Sequence, residues 1–169
     1  MIEDIKRLGF NTDHYYIKRS FVVDKIHFEN RTFYAKFEKI NEPINDTLLK
    51  QHLKKESTVA LSLLDKNGFT TLLLIEYKGD EATKFYHTAK QLFDSIGIKN
   101  YETYEGKSDR HIQIYIKTKP LSLEDASDTL QKISDLLCIK LPNDWRTLPN
   151  KNLPQQYNIA TLPYKKLSL

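Results

Sequence analysis

Three short stretches of the 169-residue chain combine residue types that can do chemistry. In LLLIEYKGD, Glu76 and Lys78 stand two apart at the end of an apolar run. Alternate residues of a strand share a face, so a carboxylate and an ammonium would project together there. Such a pair either rims a site or marks where the strand reaches water. In YEGKSDRHIQIYI, Gly106 precedes Ser108, Asp109, Arg110 and His111, and a strand-like alternation begins at the histidine. Ser108 and Arg110 can donate to phosphate oxygens. His111 can contact a phosphate, transfer a proton or bind a metal, and Gly106 allows backbone shapes that other residues avoid. A polar hairpin loop with a histidine at the strand edge is the plainer alternative. In IKLPNDWRTLPNK, Asp144, Trp145, Arg146 and Lys151 lie in a proline-punctuated loop. Trp145 there offers a stacking surface for a base or, the reading favoured here, a core anchor.

Other chemistries find no support. His14, His27, His52 and His87 have no metal-ligand spacing among themselves, and His87 falls near an apolar stripe, as a half-buried group would. No phosphate-binding glycine loop, paired-cysteine motif or nucleophile elbow occurs. The single cysteine, Cys138, follows Leu136 and Leu137 and reads as a buried structural thiol. A net charge of +4 is compatible with a phosphate-bearing partner without requiring one. No apolar run approaches the ~20 residues of a spanning helix, and MIEDIKRLGF is too charged for a signal peptide. A cytoplasmic protein without a membrane partner is expected.

The elements that must position these residues follow from periodicity. A short helix should end near Gly9. HYYIKRSFVVDKIHFEN and RTFYAKFEKI read as a β-hairpin, with Phe33, Ala35 and Phe37 alternating with Tyr34, Lys36 and Glu38 until Pro43 ends the second arm. Asp46 can cap a helix carrying Leu48, Leu49 and Leu53 on one side. STVALSLLD and FTTLLLIEY flank Asn67-Gly68 and predict a second hairpin. Asp80 opens a helix with an apolar stripe of Ala82, Phe85, Tyr86, Ala89, Leu92, Phe93 and Ile96, closed by Gly97. KNYETYE and HIQIYIK read as strands, the latter with Ile112, Ile114 and Ile116 on one face, before Pro120 interrupts. Ser122 with Asp125 starts a second long helix marked by Leu123, Ala126, Leu130, Ile133 and Leu137. The tail from Pro142 reads as irregular or short-strand structure packed on the rest. Locally paired strands with helices on one face predict the α+β class.

From Val59 to Ile116 the motif order resembles the archaeo-eukaryotic primase (prim-pol) superfamily. The pieces are VALSLLD, LLLIEYK, the helix from Asp80 to Gly97 with SIGIKNY, and GKSDRHIQIYI. In that family a strand ends in an acid-x-acid pair. A helix follows, and a strand then leads into a serine–histidine motif before an apolar strand. Asp144 in KLPNDWRTLPNK is a loose match to the family's third acid. The chain is also similar to a small epsilon-proteobacterial family to which no activity attaches. The resemblance implies an α+β, prim-pol-like fold with an antiparallel or mixed sheet and helices packed on it. One domain over residues 1–169 would comprise an N-terminal hairpin region (1–45), a core (46–141) and an irregular tail (142–169).

One departure from the family pattern governs the functional expectation. Glu76 matches the first acid, but Lys78 stands where the second is expected. Two-metal phosphoryl transfer needs anionic ligands beside the phosphates, whereas a protonated lysine repels a dication and offers no lone pair. Ordinary primase or polymerase activity is therefore not expected. Nor is a metal site or cofactor, with Glu76 left as the one ligand for weak divalent-cation binding. Lys78, Ser108, Arg110, His111 and Arg146 are instead expected to bind a nucleotide or nucleic-acid phosphate. Two alternatives stay open. One is a phosphotransfer or phosphodiesterase enzyme with altered metal use, built on Glu76, His111 and Asp144. The other is a protein-interaction module using the aromatic N-terminal segment, where Tyr15, Tyr16, Phe21, Phe33, Tyr34 and Phe37 concentrate.

Overall fold

The two long helices form where the apolar spacing puts them. In the computed structural model, which describes residues 1–167, α3 spans Ala82–Ile96 and α4 spans Leu123–Cys138, with α1 at Ile2–Leu8 and α2 at Asp46–Leu53. The Ser122 hydroxyl accepts from the Asp125 N–H at 3.1 Å and caps α4. Gly9 and Gly97 end α1 and α3 at φ +113° and +80°, where a side chain would be strained. Asn45, not Asp46, caps α2, its side chain accepting from the Leu48 N–H at 2.9 Å. The α3 cap position belongs to Glu81 rather than Asp80, and its N–H is held by the Tyr77 hydroxyl at 3.0 Å. Among the described residues, no helix is long and apolar enough to cross a membrane.

The strands are β1 (Asn11–Lys18), β2 (Asp24–Phe28), β3 (Arg31–Ala35), β4 (Phe37–Ile40), β5 (Val59–Ser62), β6 (Phe69–Lys78), β7 (Tyr101–Glu105), β8 (His111–Ser122), β9 (Trp145–Leu148), β10 (Ile159–Thr161) and β11 (Lys165–Lys166). They make a five-stranded antiparallel sheet ordered β11-β7-β8-β6-β9, a four-stranded antiparallel sheet ordered β10-β5-β1-β4, and a separate β2–β3 ribbon. The class is α+β, as expected. The first hairpin forms as the ribbon, turning at Glu29 and Asn30.

The second expected hairpin does not form. The turn is present, with Gly68 N donating to the Asp65 carbonyl at 3.1 Å, but β5 and β6 leave it into different sheets. Both strands are apolar on both faces and buried, so each has partners elsewhere: β1 and β10 for β5, β8 and β9 for β6. Nor does Pro120 end its strand. β8 runs on to Ser122 through a register shift between Thr70 and Leu72 of β6, an irregularity that suits a residue lacking an N–H. The tail is more ordered than expected, since β9, β10 and β11 each pair with a strand formed earlier in the chain. Its last two residues, 168 and 169, lie outside the described residues.

Alternation on β6 divides the interior. Leu73, Ile75 and Tyr77 pack under α3 and α4 with Phe85, Phe93, Leu130 and Trp145. Leu72 and Leu74 face the other way and join Val59, Leu61, Tyr104, Tyr115 and the apolar sides of α1 and α2. Ile96 closes the α3 stripe but is exposed at the helix end, and His87 is exposed rather than half-buried. Cys138 is exposed as well, because one step beyond the buried Leu137 turns a helix by about 100° toward solvent.

Candidate functional site

The same alternation puts Glu76 on the face of Leu72 and Leu74, at the end nearest the strand's exit. There it is 2% exposed rather than solvated. Its neighbours come from both adjacent strands: Arg146 of β9 on one side and Gln113 of β8 on the other. Tyr104 and Lys166 extend the row across the sheet. Cross-strand partners share a face, so one polar row crosses the sheet beside the apolar one.

Glu76 has both oxygens engaged. Oε1 accepts from His111 Nε2 at 2.6 Å and from Gln113 Nε2 at 3.2 Å, while Oε2 accepts from Arg146 Nε. Burial alone would push this carboxyl up. The hydrogen bond from His111 and the positive charges of Arg146 and Lys78 outweigh it and hold the group at about 2. Gln113 also donates to the Thr161 carbonyl at 2.8 Å, tying β8 to the other sheet.

His111 is 6% exposed. Its Nδ1 accepts from the Lys107 N–H at 3.3 Å, which leaves Nε2 as the ring's donor to Glu76. With both nitrogens engaged inside the protein, the ring shapes the loop rather than presenting a free lone pair. Gly106 makes this possible for a reason other than the one expected. Its φ is not in the left-handed region; instead, a Cβ built there would overlap the imidazole.

Lys78 pairs with His111 across β6 and β8, so the amine and the imidazole share one face. The ladder continues one step further through Gly79 N donating to the Arg110 carbonyl at 2.9 Å. Lys78, Gly79, Lys107, Ser108, Arg110 and His111 together line a hollow of about 400 Å³. Arg110 is ion-paired to Asp80. Lys55, at the end of α2, donates to the Lys107 carbonyl at 3.1 Å and braces the loop from outside.

Of the residues singled out in the sequence, Lys78, Ser108, Arg110 and His111 meet in that hollow, while Glu76 and Arg146 adjoin it through the His111–Glu76 bond. Asp144 is exposed and makes no ion pair among the described residues. Trp145 is buried on the opposite face, where its Nε1–H donates to the Ser134 hydroxyl at 2.8 Å, the core role expected of it. Gln113 was missed. Its signal was available, because placing Ile112, Ile114 and Ile116 on one face of β8 puts His111, Gln113 and Tyr115 on the other.

A pair of divalent metals does not fit these residues. Both oxygens of Glu76 already accept hydrogen bonds from protein donors, Lys78 stands two residues on along the same face, and among the described residues no group of three or more His, Cys, Asp or Glu could hold an ion.

Residues 1–70 match the family described as a domain of unknown function (DUF1882). No curated protein matches the chain. Among solved structures, the polymerase domain from Mycobacterium tuberculosis ligase D in complex with DNA is similar, at 13% identity and a TM-score of 0.48 over 95% of this chain and 67% of that one. A likeness that distant carries nothing about mechanism.

Proposed function

We propose that the chain binds the phosphate groups of a nucleotide or nucleic acid, without two-metal catalysis, in the hollow between Lys78 and the 107–110 loop. The prim-pol-like motif order supplies the phosphate; the local chemistry supplies the manner of binding. The observation that carries the reading is the pairing of Lys78 with His111 at the rim of a hollow that also holds Lys107, Ser108 and Arg110. Residues carrying ammonium, hydroxyl and guanidinium groups line it, the guanidinium of Arg110 paired with Asp80, and a lysine neutralises a phosphate directly where a metal would otherwise bridge. Glu76 has changed employment, from the metal ligand of the family pattern to an anchor for His111 and Arg146. His111 in turn is a positioning residue, holding Lys107 and its loop around the hollow. A hydrolytic or phosphotransfer reading would need His111 as a base, and both its nitrogens are taken.

Calorimetric titration with inorganic pyrophosphate tests this. Pyrophosphate should bind the intact chain, and Lys78→Ala should weaken it about tenfold or more, since charge-assisted bonds are worth about 1.5–3 kcal/mol. His111→Ala should also weaken binding, while the fold persists by circular dichroism. Equal affinity in the wild type and Lys78→Ala would remove the proposal.

A further inference from the structure

Three helices of the chain stop on a residue in the left-handed region. α1 stops on Gly9 at φ +113° and α3 on Gly97 at φ +80°. Past α2 the same place is taken by Lys55, at φ +63°. The hydrogen bonds there are those of a regular helix stop: Lys55 N donates to the His52 carbonyl at 2.8 Å, and Glu56 N to the Gln51 carbonyl at 3.0 Å. Glycine takes that conformation without cost, whereas a Cβ crowds the neighbouring carbonyl. Glu29 and Asn30, the other side chains at positive φ, form the tight turn of the ribbon, which requires two such residues in succession. A helix stop has no such need.

Charge does not account for Lys55 either. A cation near a helix C-terminus meets the negative end of the helix dipole, but Lys50 and Lys54 already serve α2 in that way. What sets Lys55 apart is where its amine goes. Nζ lies 5.9 Å from the ring centroid of Tyr164 and donates to the Lys107 carbonyl, 52 positions along the chain, at 3.1 Å. Tyr164 is itself fixed, its ring stacked on His52 and its backbone N–H donating to the Glu105 carbonyl at 3.0 Å. Residue 107 is thus gripped at both ends. Its N–H is held by His111 Nδ1 from the five-stranded sheet, and its carbonyl by Lys55 from α2. Lys55 is not among the residues lining the hollow, so it reaches a bound anion only through the loop.

We infer that Lys55 is a positioning residue for the 107–110 loop, held in a strained helix stop because its amine fixes the shape in which Lys107, Ser108 and Arg110 meet an anion. The end of α2 is less stable than glycine would make it, and the loop is more ordered in return. The anion half of this inference rests on the phosphate reading; the loop half does not.

Lys55→Gly and Lys55→Arg in the full chain test it by three measurements. In Lys55→Gly the urea midpoint should rise, by on the order of 0.5 M, as the left-handed strain is relieved. The Lys107 amide should exchange with solvent about tenfold faster in NMR, because one of its residue's two grips is gone. Pyrophosphate should bind about fivefold more weakly, since a loosened loop must be ordered on binding. Lys55→Arg keeps both a donor and the strain, and should match the wild type within about twofold in exchange and affinity, with no gain in midpoint. A lysine that serves only the helix stop would move the midpoint and leave the other two measurements alone. An unchanged Lys107 exchange rate in Lys55→Gly overturns the inference whatever pyrophosphate does, and so does a lowered midpoint. Equal pyrophosphate affinity in the wild type and Lys55→Gly overturns the anion half while leaving the phosphate reading intact. A wild-type chain that fails to bind pyrophosphate removes the phosphate reading, and the anion half with it, while Lys107 exchange still decides whether Lys55 shapes the loop.

Discussion

Two buried histidines, His52 and His111, are wired alike and mean different things. Each accepts a backbone N–H at Nδ1, from Val59 at 3.1 Å and from Lys107 at 3.3 Å. Each then donates from Nε2: His52 to the Leu162 carbonyl at 2.9 Å, His111 to the Glu76 carboxylate at 2.6 Å. His52 is wholly enclosed and stacked on Tyr164 with 4.2 Å between ring centroids, so its two bonds join α2, β5 and the tail and lead nowhere else. The acceptor of His111 is a charged group shared with Arg146, which opens on one hollow, while the ring itself borders another. A buried histidine is thus a clamp when its acceptor is a backbone carbonyl. When its acceptor is a carboxylate tied to an exposed arginine, it becomes part of the wall of a surface hollow.

The contrast is broken most severely at Glu76. Glu76→Ala leaves the buried His111 and Gln113 without their shared acceptor while the half-exposed Arg146 turns to solvent, and two buried donors unpaired at about 1–3 kcal/mol each should cost about 3–5 kcal/mol in urea denaturation. A loss below 1 kcal/mol would mean that solvent already serves these groups.

His52 sets the next largest effect through pH. Burial disfavours its charged form and lowers it to about 4, against the smaller opposite pull of the carbonyls of Leu162, Pro163 and Ser57. The unfolded chain, with an ordinary value near 6.5, then binds the extra proton first. Stability should therefore fall as pH drops from about 6.5 to 4, by on the order of 3 kcal/mol. Glu76 works in the next window. Held at about 2 in the folded chain, it contributes stability above its ordinary value of 4.5 that is lost as pH falls toward 2. Urea titrations at pH 7, 5.5, 4 and 3 should show both windows, and His52→Gln should flatten only the upper one.

The smallest effect sharpens the comparison most. In Gly106→Ala the added methyl meets the His111 ring. A cost of about 1–3 kcal/mol is expected, with the Nε2–H resonance of His111 displaced in NMR and that of His52 unmoved. An unmoved His111 resonance would show that the ring does not need the glycine.

Much of the frame was legible in the sequence for local reasons. The stripes of α3 and α4, the Ser122 cap and the Gly97 stop depend on neighbours three or four residues away, and they appear as read. The convergence of Lys78 and His111 was legible too, because a motif order supplied the pairing of two strands that composition alone could not. What escaped was non-local. The turn at Asp65–Gly68 has the same residues whether its strands pair or part, and the choice is made by β1 and β10, far off in sequence. Glu76 could be read as the rim of a site or as a strand end in water, and the choice stayed open because Arg146, which makes its burial tolerable, is seventy positions away. Cys138 was misread by one helical step, and Gln113 by counting the isoleucines of β8 without asking what their alternates faced.

The tail gives edge strands to both sheets and supplies the guanidinium beside Glu76. Translation makes β6 well before β9. During that interval the nascent chain carries a carboxylate destined for the interior with no arginine to meet it, on a sheet still lacking a border. Closure of this sheet edge therefore waits on residues made some seventy positions later, and a chain cut before Arg146 would lack the guanidinium that meets Glu76.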